Sequence, residues 1–271
     1  MSDTQDEILT DCPAPGVLRI TLNRPDAGNA FTFAMYERLA EIFTETAYLP
    51  DVQAVILTAT GRMFSVGHDL QNGGSSAQVP SGIGAAHASR LSARAINQLP
   101  ALMRALPQPI IAAVNGTAAG AGYGLALNAD LTIAARSAKF VNAFHNAGTG
   151  HEFGLSYLLP RAVGTQRAME LLLTGRHLPA EEAREIGLIL RVVDDAALMD
   201  EALALADAIM LNAPLGTQIT KQSVWLNLGA TSLEAAMEME TRGQAVTAGT
   251  ADRVEKRAAF FEKRRPEFKN Q

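Results

Sequence analysis

Between Pro109 and Ala135 the chain reads PIIAAVNGTAAGAGYGLALNADLTIAA, two apolar runs joined by a stretch of small residues. Ile110 to Val114 has the length and β-branching of a buried strand, and Asn115-Gly116 ends it. Thr117 to Gly124 then holds three glycines and three alanines in eight residues. An apolar helical run, Tyr123 to Ala129, and a second buried strand, Leu131 to Ala135, complete an α/β pattern. Residues this small let the backbone come close to a ligand. Where such a turn opens a helix, unpaired N–H groups and the positive end of the dipole point at whatever sits there. That suits a developing negative charge, as in one half of an oxyanion hole. Taken alone, the segment is read more simply as a tight strand–helix corner. It is not a dinucleotide fingerprint, because Gly120, Gly122 and Gly124 miss the G-x-G-x-x-G spacing and Asp130 follows too soon to bind a ribose. No Gly-Lys-Ser or Gly-Lys-Thr follows, so a P-loop is excluded as well.

At 271 residues the chain can bury a large core as one domain, or as one domain with an appendage. Acids and bases are interspersed with a net charge of −5, which argues against nucleic acid as the main partner. The single cysteine, Cys12, allows no internal disulfide and is read as an incidental thiol near a mobile terminus. With no Cys/His/Asp cluster at ligand spacing, no metal is expected. The N-terminal MSDTQDEILTD is polar and acidic, unlike a secretory or transit signal, and no apolar run reaches the length of a membrane span. A cytoplasmic location without membrane attachment is expected.

Taken in order, Gly16 to Leu22 reads as a strand, Phe33 to Thr46 as an amphipathic helix and Val52 to Ala59 as a buried strand. Gln71 to Gly84, QNGGSSAQVPSGIG, is read as a surface loop, either an insertion or a lid. Ser92 to Leu106 reads as a helix, and a short strand is expected around Ala138 to Val141. Further helices are expected over LSYLLPRAVG, Thr165 to Leu173 and Leu178 to Ile186, the last with Pro near its start and Gly187 past its end. Leu188 to Val193 is a last strand. From Asp195 onward only helical segments follow, divided near Pro214, Gly229 and Gly249. Residues 1–194 therefore read as a mixed core and 195–271 as a helical region suited to self-association.

In combination the motifs resemble one family, the crotonase superfamily, also called the enoyl-CoA hydratase/isomerase family. The resemblance runs from LNRPDAGNAF (Leu22–Phe31) through GRMFSVGHDL (Gly61–Leu70), PIIAAVNGTAAGAGYGLALNAD and LPRAVGTQRAMELLLTGRHLPAEEAREIGLILRVV to FFEKRRPEF. It implies a spiral of strand–strand–helix (ββα) units with a helical C-terminal trimerisation region, assembled as homotrimers or hexamers. It also implies an enzyme acting on an acyl-CoA thioester, with coenzyme A entering as part of the substrate and no separate cofactor. In this chemistry two backbone N–H groups hold the thioester oxygen and stabilise an enolate. By motif matching, the first donor falls on Val66 and the second on Ala121.

The acid–base groups depart from the two-glutamate hydratases. One of their glutamates falls here on Gly124 and the other on Phe144. A branch resembling single-acid enoyl-CoA isomerases and aroyl-CoA dehalogenases has one carboxylate in a segment like Gly148–Arg161, GTGHEFGLSYLLPR, and here it falls on Glu152. One carboxylate in an apolar pocket can take a proton from C2 and return it at C4, whereas hydration must also activate a water. Read without the family, Glu152 is an acid suitably placed near a helix N-terminus. His151 adjoins it and is the preferred accessory group, ahead of His68, His145 and His87, although each histidine taken alone is read more simply as structural or surface. For CoA the resemblance implies main-chain contacts from Ala30 and from Val66, Gly67, His68 and Asp69. It also implies phosphate pairing by Arg24 and a C-terminal lysine such as Lys263. Asp69 also reads as a loop anchor. The expectation is an acyl-CoA enzyme of the enoyl-CoA hydratase/isomerase type, with isomerisation preferred over hydration. The alternatives are a non-catalytic acyl-CoA-binding protein or another crotonase reaction such as dehalogenation or C–C cleavage.

Overall fold

The apolar runs of the sequence become the strands of a six-stranded sheet. A computed structural model describes residues 7–71, 79–145 and 148–271. The sheet contains β1 (Ile8–Ala14), β2 (Val17–Leu22), β3 (Ala54–Ala59), β5 (Ile110–Val114), β7 (Leu131–Ala135) and β10 (Arg191–Val193), in that order. β1 and β2 are antiparallel, and every later pairing is parallel. β5 is buried at every position and β3 at all but its last, as continuous apolar strands covered on both faces must be. A second, four-stranded sheet is made of β4 (Met63–Ser65), β6 (Thr117–Ala119), β8 (Lys139–Val141) and β9 (His177–Pro179).

The chain alternates between the two sheets. Each turn of the spiral lays one strand in the large sheet (β3, β5, β7) and the next in the small one (β4, β6, β8). Helices separate the turns: α1 (Phe33–Thr46), α2 (Ala85–Ala105) and α3 (Ala121–Asn128). This is the expected ββα pattern. α1 matches the sequence reading residue for residue, because Thr32 caps it by accepting from the Met35 N–H at 3.2 Å and its apolar positions repeat at helical spacing. α3 is apolar all round and buried throughout except at Leu127, as a helix at the centre of a core should be.

Several boundaries differ from the sequence reading. α2 begins well before Ser92, and the helix expected from Leu178 opens as strand β9 before α6 (Ala180–Glu185). The last strand is confined to Arg191–Val193. β1 carries Cys12, so this thiol sits exposed on an edge strand and not in a mobile terminus. Within the expected loop Gln71 to Gly84, residues 72–78 lie outside the described residues.

After α4 (Leu155–Val163) and α5 (Thr165–Thr174), the chain past β10 contains only short turns and α7 (Leu198–Met210), α8 (Pro214–Asn227), α9 (Leu233–Ala248) and α10 (Ala251–Glu262). α7 lies against β3, β5 and β7 and buries Leu198, Ala202 and Ala206, so it belongs to the layer covering the large sheet. The helices that stand further out begin at α8. No helix among the described residues is long and apolar enough to cross a membrane.

α8 is tied to the core by a buried charge pair. The Lys221 ammonium lies 2.8 Å from Asp130 and donates to the carbonyls of Met103 and Gln108, each at 3.0 Å. Asp130 also accepts from the Ile110 N–H at 2.7 Å and from the Trp225 indole at 2.6 Å. Burial pushes the Lys221 ammonium below its usual range, and the facing Asp130 opposes this. Removing one partner of such a pair strands the other charge. Lys221→Met should therefore lower the unfolding free energy by about 3–5 kcal/mol, seen as a lower urea midpoint. An unchanged midpoint would show that the pair contributes nothing net.

Candidate active site

The two loops proposed to hold an oxyanion do meet. β4 ends at Ser65, and the chain that follows passes beside the N-terminus of α3. Gly67 has φ +97°, and a Cβ built on it would lie 3.0 Å from the Ala119 carbonyl and 3.3 Å from the Ala121 nitrogen. Gly120, with φ +52°, turns β6 into α3 at the same place. Left-handed backbone without a side chain is what lets the loops approach this closely. Gly122 serves the same packing from the next turn, since its Cβ would lie 2.6 Å from the Ser65 carbonyl.

The amides around this junction can be accounted for individually. Val66 N–H donates to the Gly28 carbonyl at 3.0 Å, and Asp69 N–H to the Phe31 carbonyl at 2.9 Å. Gly67 N–H donates to Ser65 Oγ at 3.1 Å, and Gly120 N–H to the Val141 carbonyl at 3.0 Å. The amides of His68 and Ala121 have no acceptor among the described residues. The assignment of the first donor to Val66 therefore needs correction: its N–H is engaged within the fold, and the open amide lies two residues on. Ala121 stands at the first helical position of α3, where an unpaired N–H is expected.

Arg24 is likewise committed within the protein. Its guanidinium pairs with Glu7 at 3.1 Å and Asp69 at 3.2 Å and donates to the Ala30 carbonyl. Ala30 N–H donates to the Ala27 carbonyl at 3.2 Å. Asp69 is a loop anchor, and Arg24 ties three segments together where the sequence suggested a phosphate ligand. Sequence reasoning missed Asn29, which is fully buried with φ +54°. Its carboxamide accepts from the Arg24 N–H and donates to the carbonyls of Thr60 and Met63, which locks the approach to the Ser65–Leu70 loop. Lys263 lies exposed just past α10.

Glu152 is half-buried in the segment leading to α4, and burial pushes its carboxyl above the usual carboxylate range. Its carbonyl accepts from the Leu155 N–H at 3.2 Å, but its carboxyl has no hydrogen-bond or ion-pair partner among the described residues. Its neighbour Phe153 is fully buried with φ +57°, and its carbonyl accepts from Asn128 at 2.8 Å. The Phe153 side chain occupies the space next to Gly124: a Cβ on that glycine would lie 2.3 Å from the Phe153 Cβ. Phe144 lies beside Gly120, so an apolar ring stands near the open amides.

Among the histidines weighed from sequence, His151, His145 and His87 are exposed. Only His68 enters the packed interior. Its ring stacks on Tyr36 with centroids 5.9 Å apart and meets Phe33 edge-on at 5.2 Å. Burial pushes it below the usual histidine range, partly opposed by Asp69, which favours the neutral imidazole. Tyr36 is fully buried, and both its hydroxyl and His68 Nδ1 lack a hydrogen-bond partner among the described residues. Such an unpaired buried group costs roughly 1–3 kcal/mol, which makes the pair conspicuous. In the sequence Tyr36 is one more apolar residue on the inner face of α1, with nothing to mark it. Among the described residues no group of three His, Cys, Asp or Glu side chains is placed to hold a metal ion.

Comparison with known proteins finds relatives along nearly the whole chain. Residues 14–271 match the family described as enoyl-CoA hydratase/isomerase. A probable enoyl-CoA hydratase of Mycobacterium tuberculosis is 42% identical over 263 residues, covering 96% of this chain and 92% of the relative. The 1,2-epoxyphenylacetyl-CoA isomerase of Escherichia coli is 39% identical over 254 residues, covering 93% and 95%. The crystal structure of a probable enoyl-CoA hydratase/isomerase from Mycobacterium abscessus superposes with a TM-score of 0.91 at 36% identity, covering 98% of this chain and 99% of that one.

Proposed function

Since the chain belongs to the enoyl-CoA hydratase/isomerase family, we propose that it moves the double bond of an enoyl-CoA thioester, with Glu152 as the only acid–base group. The observation that carries this reading is the single unpaired, half-buried carboxylate among the described residues, that of Glu152. Glycine and phenylalanine stand at the two positions where hydratases of this type carry glutamates. The thioester oxygen is held by the His68 and Ala121 amides, each contributing roughly 3 kcal/mol to stabilising the enolate. Glu152 takes the C2 proton of a 3-enoyl ester, electrons shift into the thioester oxygen, and the same carboxyl returns a proton at C4 as the carbonyl re-forms. The product is the conjugated 2-enoyl ester, and no water is consumed.

The substrate brings coenzyme A, and no other cofactor is assigned. Main-chain groups of the Gly67–Asp69 loop face the pantetheine, and Lys263 is the candidate for a CoA phosphate. The outer helices carry exposed apolar side chains, among them Val224, Leu226, Met237, Val254, Phe260 and Phe261. This supports assembly as a homotrimer or hexamer through the helices from α8 onward, within the region 195–271.

Incubation with a trans-3-enoyl-CoA in deuterated water, followed by NMR and mass spectrometry, tests the reaction. The expected product is the 2-enoyl isomer with no addition of water. A 3-hydroxyacyl product would make the protein a hydratase with a second group activating water. Because the base must be ionised, kcat/KM should rise with pH through an apparent pKa above the ordinary glutamate value of about 4.3. A limb at or below that value would argue against a desolvated Glu152 as the base.

A further inference from the structure

We propose that Tyr36 is the positioning residue for Glu152: its hydroxyl donates to one carboxylate oxygen when thioester is bound, leaving the other oxygen to carry the proton. The inference rests on Glu152 being the acid–base group. It begins from two polar groups that lack partners. Tyr36 is fully buried with its hydroxyl unsatisfied, and the Glu152 carboxyl also has no partner among the described residues. The Tyr36 ring is held on three sides, by Phe31 at 5.0 Å, His68 at 5.9 Å and Phe153 at 6.1 Å between centroids. Phe153 adjoins Glu152 in the chain and is fixed by Asn128. The phenol therefore cannot swing away, and the segment carrying the carboxyl packs on its ring.

The phenol stays protonated at working pH, since burial raises it far above the usual tyrosine range and the Glu152 charge adds to that. It is thus a permanent donor facing an acceptor-only carboxylate. His68, stacked on the Tyr36 ring and biased by burial toward its neutral form, comes from the Ser65–Leu70 loop, where Asp69 pairs with Arg24. α2 and α3 contribute only the uncharged amides of Asn97 and Asn128 beside Phe153. Among the described residues no cation counters the effect of burial on Glu152, and the Tyr36 phenol, which feels the Glu152 charge, is a neutral donor able to stabilise the ionised form. The same ring packs on the residue whose amide is the first oxyanion donor, so one side chain aligns both halves of the site.

The test uses the full-length Tyr36→Phe protein beside wild type and Glu152→Gln. Turnover of a trans-3-enoyl-CoA is followed across pH, and the Glu152 carboxyl is titrated by infrared difference against Glu152→Gln with butyryl-CoA bound. A hydrogen bond to the charged form favours that form. Tyr36→Phe should therefore move both the infrared titration and the acid limb of kcat, which reports the substrate-bound enzyme, to higher pH. It should also lower kcat about tenfold or more while changing KM by less than about twofold. The melting temperature should not fall, because the variant removes an unsatisfied hydroxyl. An unmoved titration and limb overturn the proposal, as does a rate loss that only follows a lower melting temperature. If Glu152→Gln remains active, the parent reading fails and this one with it. If Glu152→Gln is inactive and Tyr36→Phe behaves as wild type, only the role of Tyr36 falls.

Discussion

Glu152→Gln should abolish isomerisation while leaving CoA-ester binding nearly intact. Glutamine keeps the size and polarity of the side chain, but it cannot take the C2 proton. Loss of a positioned general base costs typically 10²–10⁴-fold, and with no second carboxylate here to substitute, the loss should lie at the upper end. Binding should survive because it is assigned to other groups, the main-chain amides of His68 and Ala121 and the loop around Gly67. Since the Glu152 carboxyl has no partner among the described residues to lose, the fold should not weaken. Removing a half-buried acid whose ionised form burial disfavours leaves stability unchanged or raises it. The measurements are kcat on a 3-enoyl-CoA and Kd for butyryl-CoA by calorimetry. Substantial turnover by the variant would remove Glu152 from the mechanism. Lost binding would instead show that the carboxyl serves to recognise the ester.

Much of the frame was legible in the sequence because it is written in apolar periodicity. β3, β5 and β7 are continuous apolar runs, and α1 has both a cap at Thr32 and a helical stripe. β4, β6 and β9 were not legible, since three residues are too few to show alternation and their pairing depends on the second sheet. β1 was missed for another reason. Leu9 to Cys12 are exposed on an edge strand, held by backbone bonds to β2 and not by side-chain burial. At the site, the motif located the loop but not the open amide. Which N–H in Ser65–Leu70 lacks an acceptor depends on the Gly28 carbonyl, far away in the chain. The same limit hid Asn29 and Tyr36, whose roles arise from partners, or from lacking one, and not from spacing.

Gly124→Glu, which restores a glutamate at a position where the two-glutamate hydratases carry one, should yield a less stable protein and no hydratase. The Cβ alone would lie 2.3 Å from the Phe153 Cβ and 2.8 Å from its Cγ. Neither partner can yield easily. Gly124 is in the buried α3, and Phe153 is pinned through its carbonyl to Asn128, which also donates to the Gly124 carbonyl at 2.8 Å. Overpacking of a tight core costs typically 1–3 kcal/mol, and the overlap here places the variant at or above the top of that range. Isomerase activity should fall too, because any shift of Phe153 carries Glu152 with it. Gly124→Ala isolates the clash from the charge and should show most of the stability loss in its melting temperature. An unchanged melting temperature in Gly124→Ala would refute the interlock. The geometry also specifies the rescue. Trimming Phe153 to alanine keeps the offending Cβ, whereas Phe153→Gly removes it and suits the φ of +57° at that position. Gly124→Glu combined with Phe153→Gly should therefore be more stable than with Phe153→Ala. In this chain, the Phe153 side chain beside residue 124 leaves no room for an acid there.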